Sequence, residues 1–303
     1  MGTCNSINLI TCITMQKPYT IAVLADIHGT QPALEAVLAD LQTDPPDQII
    51  VAGDFLGGPQ PMEVLARLQV LGCCFILGNG EVNMLKMRQG TAPCEWWTHR
   101  QFDLGRWVYR RLDEDVFDFL VELPEQLVIS PEGCKPLRVV HGSPWDVNKL
   151  VFPDQNPQDL SRALAMIPEG LLVFAHNHLP AVYYQDGKLA VNPGSVGNNL
   201  NGDPRASYAT LTWNAAGWQP DLHYVAKNLE SVISAFVQTK FLDDNRPLAR
   251  AFLESILTAE NTALDYIEFA SQRAVNAGYE GFSVIPDQIW LEAEAAFPWR
   301  YQF

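Results

Sequence analysis

Apolar residues along the chain fall into short unbroken runs that alternate with stripes of helical spacing. Thr20-Ile21-Ala22-Val23-Leu24-Ala25 is the first run, as expected of a strand buried on both faces. Pro32 then suits a first helical turn, and Leu34, Val37, Leu38 and Leu41 recur at i, i+3, i+4 and i+7. Gln48-Ile49-Ile50-Val51-Ala52 predicts a second strand, Val64, Leu65, Leu68 and Leu71 a second helix, and Cys74-Phe75-Ile76-Leu77 a third strand. This β-α-β-α-β order implies a parallel sheet covered by helices. Residues 83–112 are less regular and rich in Trp and Arg. Val116, Phe119, Leu120 and Leu123 then mark a helix stopped by Pro124.

Further strands are predicted at Leu137-Arg138-Val139-Val140 and Leu171-Leu172-Val173-Phe174. Between them Asn156-Pro157 reads as an N-cap with proline at the first helical position. The stretches 180–192, 206–213 and 221–226 read as antiparallel strands with turns at Asp186-Gly187 and Ala216-Gly217. Beyond residue 228, Leu248, Phe252, Ile256, Ala263, Leu264 and Ile267 suggest a long helix or a helix pair. The chain thus divides into a disordered leader over 1–16 (with Met15 as the natural start), a main domain over 17–227 and a helical extension over 228–303. The apolar stripe of the extension is assigned to packing on the main domain, with a homo-oligomer contact through these helices as the alternative.

The polar residues sharpen this picture, because five apolar strands each run into a potential metal ligand. Asp26 and His28 follow the first, Asp54 the second, Asn79 the third, His141 the strand at 137–140, and His176 and His178 the strand at 171–174. Ligands of open α/β sheets gather outside the carboxyl ends of the strands, so these groups are expected to converge at one edge. Asp26 and His28 are two apart, which in an extended chain points both side chains the same way; His176 and His178 share that spacing. Four of only six histidines lie in these motifs. Asp, Asn and His without thiolate suit a borderline or hard divalent ion such as Mn, Fe, Zn, Ni or Mg, with Mn the first choice.

Composition narrows the function classes. The 303 residues are 48% apolar, enough for a large core, and no run of 18 apolar residues predicts a membrane span. Thirty-five acidic against 20 basic residues give a net charge of −15. That balance disfavours long DNA or RNA, which needs a basic face. It does not exclude a small phosphate ester, because bound divalent cations bring local positive charge and the bulk field is screened beyond about 8–10 Å. The six cysteines have no C-x-x-C spacing, which favours reduced thiols and a cytoplasmic protein.

The ordered set Asp26-Ile27-His28-Gly29, Gly53-Asp54, Gly78-Asn79-Gly80-Glu81, His141-Gly142-Ser143-Pro144 and Ala175-His176-Asn177-His178 resembles the calcineurin-like metallophosphoesterase superfamily. Val191-Asn192-Pro193-Gly194-Ser195-Val196-Gly197, followed by Gly202-Asp203-Pro204-Arg205, is similar to its small bacterial phosphodiesterase branch. The resemblance spans about residues 19–226. It implies a four-layer αββα sandwich. It also implies a dinuclear site in which Asp26, His28 and His178 hold one ion, Asn79, His141 and His176 the other, and Asp54 bridges.

The implied reaction is hydrolysis of a small phosphodiester or nucleotide by a metal-bridging hydroxide, with Asn79 also donating to the phosphoryl group. Alternatives are a dinucleoside polyphosphate hydrolase, a protein phosphatase, or a non-catalytic scaffold using the helical tail for a partner. Gly80 stands where many members carry a histidine that assists the leaving group, so good leaving groups are expected to be favoured. His99 is the candidate replacement acid, and Arg205 a candidate cation for substrate phosphate. Asn177, Ser143 and Glu81 are expected to support the ligands rather than take part in chemistry.

Overall fold

The computed structural model describes residues 18–280 and 284–303; the leader expected over 1–16 lies outside them. Two five-stranded mixed sheets form its centre. The first contains β1 (Tyr19–Leu24), β2 (Gln48–Ala52), β3 (Cys74–Ile76), β9 (Ala206–Asn214) and β10 (Gly217–Val225), in the order β10-β9-β1-β2-β3. The second contains β4 (Gln126–Ile129), β5 (Leu137–Val140), β6 (Leu171–Val173), β7 (Ala181–Gln185) and β8 (Lys188–Asn192), in the order β4-β5-β6-β8-β7. β1, β2 and β3 run parallel, as do β5, β6 and β8.

Strand alternation builds the layers. Ile21 and Val23 of β1, Ile50 of β2 and Ile76 of β3 meet Leu137 and Val139 of β5 and Leu171 and Val173 of β6 in one core between the sheets. The intervening Ala22, Leu24, Val51 and Phe75 face outward. There they meet α1 (Gln31–Leu41) and α2 (Pro61–Val70). Val140 and Leu172 face α7 (Pro157–Met166) on the other side. The result is the expected four-layer αββα sandwich. α1 buries Leu34, Val37, Leu38 and Leu41, the stripe that predicted it.

Several elements differ from the sequence reading. Residues 83–112 are largely helical: α3 (Asn79–Arg88), α4 (Glu95–Thr98) and α5 (Asp103–Tyr109) precede α6 (Glu114–Glu122). Asn156 begins α7, but its amide donates to Asp159 Oδ2 at 2.9 Å instead of accepting from the helix. Asp186 and Gly187 both have positive φ, +54° and +74°, as the expected two-residue turn requires. β10 starts at Gly217 rather than at 221. Pro220 does not interrupt it, because β10 is an edge strand whose proline lacks no needed donor.

The C-terminal segment forms α8 (Leu229–Gln238), α9 (Phe241–Asp244), α10 (Leu248–Thr258), α11 (Thr262–Asn276) and α12 (Asp287–Ala296). The apolar stretch at 248–267 is a helix pair, divided where Ala259 turns left-handed at φ +57°. Val232, Phe236, Phe241, Leu253 and Ile256 join the core over the first sheet. α11 and α12 enclose a smaller core of Tyr266, Ala270, Ala274, Ile289 and Trp290.

Candidate metal centre

The carboxyl ends of β1, β2, β3, β5 and β6 deliver polar groups to one place. Asp26, His28 and His178 each present a ligand atom within 4.8 Å of the others, and Asp54, His141 and His176 do the same. Asp54 lies between the groups: its Oδ2 is 3.9 Å from His28 Nε2 and its Oδ1 is 3.6 Å from His141 Nε2. Asn79 Oδ1 is 3.0 Å from His141 Nε2. All seven expected ligands thus lie at one crest.

They meet there for a reason other than the one their spacing suggested. β1 ends at Leu24 and β6 at Val173, so neither pair lies in an extended chain. Asp26, His28, Asp54, His176 and His178 all have left-handed backbones, with φ from +48° to +71°. His176 and His178 accordingly turn to different groups instead of pointing the same way. Left-handed geometry costs a non-glycine residue about 1–3 kcal/mol, so the surroundings must hold it. Asp26 N–H donates to Gly53 O at 3.1 Å, His28 N–H to Asp54 O at 2.9 Å, and His176 N–H to Asp26 Oδ2 at 3.1 Å.

A polar shell fixes the ring orientations. His141 Nδ1 donates to Ala52 O at 2.9 Å, and His178 Nδ1 to Asn198 O at 2.6 Å. A carbonyl can only accept, so both rings carry their proton on Nδ1 and offer the Nε2 lone pair to the site. His176 Nε2 donates to Asn148 O at 3.2 Å, which leaves Nδ1 as its lone-pair nitrogen. Ser195 Oγ donates to Asp26 O at 2.6 Å and accepts from Asn198 N–H at 2.7 Å, tying the loop after β8 to both Asp26 and His178. Asn177 spans the other side, donating to Val151 O and accepting from Leu179 N–H and Asn192 Nδ2.

Glu81 makes the most extensive support. Its fully buried carboxylate accepts from the backbone N–H of Asp54 (2.8 Å), Phe55 (3.0 Å), Leu56 (3.0 Å) and Gly78 (2.9 Å). It staples the loop carrying Asp54 to the start of α3, which carries Asn79. Gly78 permits the approach, because a Cβ there would collide with Asp54. Burial, and then the Asp54 charge, push the Glu81 carboxyl up to about 7, while the backbone donors pull it back.

The site fits cations. Asp26 is fully buried, and its Oδ1 has no hydrogen-bond partner. That oxygen lies 3.3 Å from His178 Nε2, so a carboxylate and an imidazole lone pair face each other. A positive ion between them reconciles the arrangement, and an O/N donor set without thiolate suits a hard or borderline divalent metal. With no ion between them, the groups show the same demand for positive charge beside Asp26 and Asp54. Burial alone would raise the Asp26 carboxyl, but His178, His141 and His28 outweigh it and hold it well below the usual carboxylate range. Burial pushes His28 down to about 4 and also lowers His176, favouring the neutral, ligating form, whereas at His141 and His178 the neighbouring Asp26 and Asp54 charges outweigh burial and raise the imidazole.

His99 and Arg205 lie outside both ligand groups. His99 Nδ1 is 3.0 Å from Thr98 Oγ1 at the end of α4. Arg205 pairs with Asp203, Nε to Oδ1 at 3.0 Å, and its guanidinium sits 5.1 Å from the Tyr224 ring centre. A feature that sequence reasoning missed adjoins the crest. A cavity of about 390 Å³ opens beside His28 and Gly80 and runs between α3, α5, α9 and α10. Most of its residues come from the stretch 83–108 and from the helical extension, which no linear motif connects.

Comparison with known proteins agrees with this geometry. Residues 19–216 match the model of the calcineurin-like phosphoesterase superfamily domain. An uncharacterized protein of Methanocaldococcus jannaschii is 28% identical over 209 residues, 62% of this chain and 80% of its own length. A metallophosphoesterase from Sphaerobacter thermophilus has the same fold, with TM-score 0.65 at 22% identity, over 80% of this chain and 99% of that one. A hypothetical protein from Pyrococcus horikoshii OT3 gives TM-score 0.64 at 19% identity, over 78% and 97%. With the family model covering β1 to β9 and every strand-end ligand, the chain belongs to the calcineurin-like phosphoesterase superfamily.

Proposed function

We propose that this protein is a dinuclear metal-dependent phosphoesterase that hydrolyses a small phosphodiester or nucleotide. One observation carries the reading: Asp54 belongs to the second triad, with Oδ1 3.6 Å from His141 Nε2, and turns Oδ2 to within 3.9 Å of His28 Nε2 in the first. In this reading Asp26, His28 and His178 would hold one ion, and Asn79, His141 and His176 the other. Asp54 would serve both, since a carboxylate has two oxygens and a charge to share. When bound, such a pair of ions activates water at neutral pH and polarises the phosphoryl oxygens.

The chain's own groups do the rest. The Nδ1 bonds of His141 and His178 to backbone carbonyls keep their Nε2 lone pairs aimed inward through the cycle. Asn79, ligating through Oδ1, retains its amide N–H to donate to a phosphoryl oxygen. Glu81 keeps the Asp54 loop and Asn79 in register. Besides His28, the wall of the adjoining cavity contains no titratable side chain among the described residues. In this reading a leaving oxygen on that side departs without acid help from the wall. Such help is worth about 10²–10⁴-fold where present, so turnover should depend steeply on leaving-group pKa.

The test uses the full chain loaded with Mn and assayed on bis-4-nitrophenyl and 4-nitrophenyl phosphate. Turnover that falls to background in Asp54→Asn supports the reading. A protein that turns over neither compound with any of the five metals refutes it and favours the scaffold.

A further inference from the structure

The cavity beside the crest has no role in holding ions, and its chemistry is the opposite of the crest's. Met84 and Met87 of α3, Trp96 of α4, Phe102, Phe241 of α9 and Phe252 of α10 dominate its wall. No Lys, Arg, Asp or Glu lines it among the described residues. Its volume of about 390 Å³ lies in the ordinary range for small-ligand pockets.

Two residues join it to the candidate metal centre. The His28 ring, a ligand of the first triad, meets the Phe252 ring edge-on at 5.8 Å between centres. Gly80 lines the cavity while its N–H donates to Asp54 Oδ1 at 2.8 Å. A group held at the crest therefore has open space beside it, where any side chain at position 80 would have narrowed the passage.

We infer that this cavity receives the organic half of the substrate, and that this half is an uncharged, apolar alcohol, alkyl or aryl. The inference rests on the phosphoesterase reading for the crest and adds the substrate class. A polyphosphate tail or a charged peptide placed in this wall would lose its water and gain no counter-charge. An alkyl chain or a benzene ring gains by leaving water and finds sulfur and ring edges to pack against. Besides His28, the wall carries Asn83 and Gln101, and Gln101 is already engaged, accepting from Ile285 N–H at 2.9 Å. The wall therefore offers little to read the hydrogen-bonding edge of a nucleobase.

The test is a ligand series in which only the apolar part varies. Methyl-, butyl-, hexyl- and phenylphosphonate and thymidine 5′-monophosphate are titrated by calorimetry into the full Mn-loaded chain. Burial of one methylene is worth about fourfold in affinity, so hexylphosphonate is expected to bind at least ~30-fold more tightly than methylphosphonate. It should also bind more tightly than the nucleotide, with a negative heat-capacity change.

Gly105→Leu tests the location. Gly105 lines the cavity on α5, and a Cβ there would meet only Met84 Cε, at 3.9 Å. The larger side chain should fill the space and bring the hexyl-to-methyl ratio close to one. Trp96→Ala, which removes a wall ring instead, should also lower that ratio. A ratio near one in the wild-type chain, tighter binding of the nucleotide than of hexylphosphonate, or a ratio unchanged in both variants overturns the inference. Turnover of bis-4-nitrophenyl phosphate is measured in parallel. Turnover with a flat series refutes the apolar subsite alone; a steep series without turnover refutes the hydrolytic reading and leaves the subsite standing.

Discussion

The crest and the chamber beside it share His28 and Gly80, yet they are built on contrary principles. At the crest, polar side chains on left-handed backbones are held by backbone carbonyls, N–H groups and one buried carboxylate. In the chamber, regular helices pack apolar side chains against each other, as where the Phe241 ring meets Trp107 at 4.8 Å and Phe236 at 5.3 Å. The first arrangement spends stability to aim ligands; the second supplies stability and shapes space. Chemistry at the strand ends and selectivity on the surrounding helices can then vary independently. Substitutions in the two regions should accordingly fail in different ways.

The largest expected effect is at the crest. Asp26→Asn keeps the shape but removes a charge from the buried side chain whose Oδ1 faces His178 without a hydrogen bond. The first ion should be lost, so elemental analysis is expected to fall from two ions per chain to one, with turnover at background. Two ions retained by the variant would break the assignment of Asp26 to the first site. Glu81→Ala comes next. It leaves four buried N–H groups without their acceptor, which should cost about 4 kcal/mol or more in denaturant unfolding. Activity should also fall by about 10–100-fold, the usual range for groups that orient ligands. Glu81→Gln keeps an acceptor oxygen and should lose less of both.

Phe241→Ala is the counterpart in the chamber. The side chain is fully buried, so truncation should cost about 3–5 kcal/mol. The ion count should stay at two, because no ligand rests on this ring. If Phe241→Ala released an ion, the separation between the two regions would fail.

The two regions were also unequally legible in the sequence. Short apolar runs mark β1, β2, β5 and β6 because both faces of each strand are buried, and the polar residue after each run marks the crest. What the sequence did not reveal was the backbone that makes the crest converge. No local pattern signals that Asp26 or His178 turns left-handed, since the conformation is imposed by bonds to residues far along the chain. α3 was hidden because it buries Glu81 beside Met84 and Met87, so its inward face carries a charge and breaks the apolar stripe. β4 was hidden because Gln126 and Val128 are exposed on an edge. The chamber requires residues 84 and 252 to be neighbours, which only the folded chain provides.

Lys227 lies behind the crest, between β10 and α8, and it gives the smallest effect. Its side chain is buried, and Nζ donates to Gly197 O at 2.6 Å. Gly197 in turn donates its N–H to Asp26 O at 3.1 Å. Burial pushes the ammonium down to about 7, with Asp203 pulling it partly back. Below about pH 7 both folded and unfolded chains hold the proton, and the buried charge is a standing cost. Between about 7 and 10.5 the unfolded chain holds the proton and the folded chain does not, so stability must rise with pH. The expected gain from pH 7 to 9 is about 2 kcal/mol. Lys227→Met removes the titrating group, so its stability should rise by that much less over the same interval when the two chains are unfolded in urea side by side. Parallel pH profiles for the two would mean that Lys227 keeps its proton in the folded chain, and that the space behind the crest is wetter than its burial indicates.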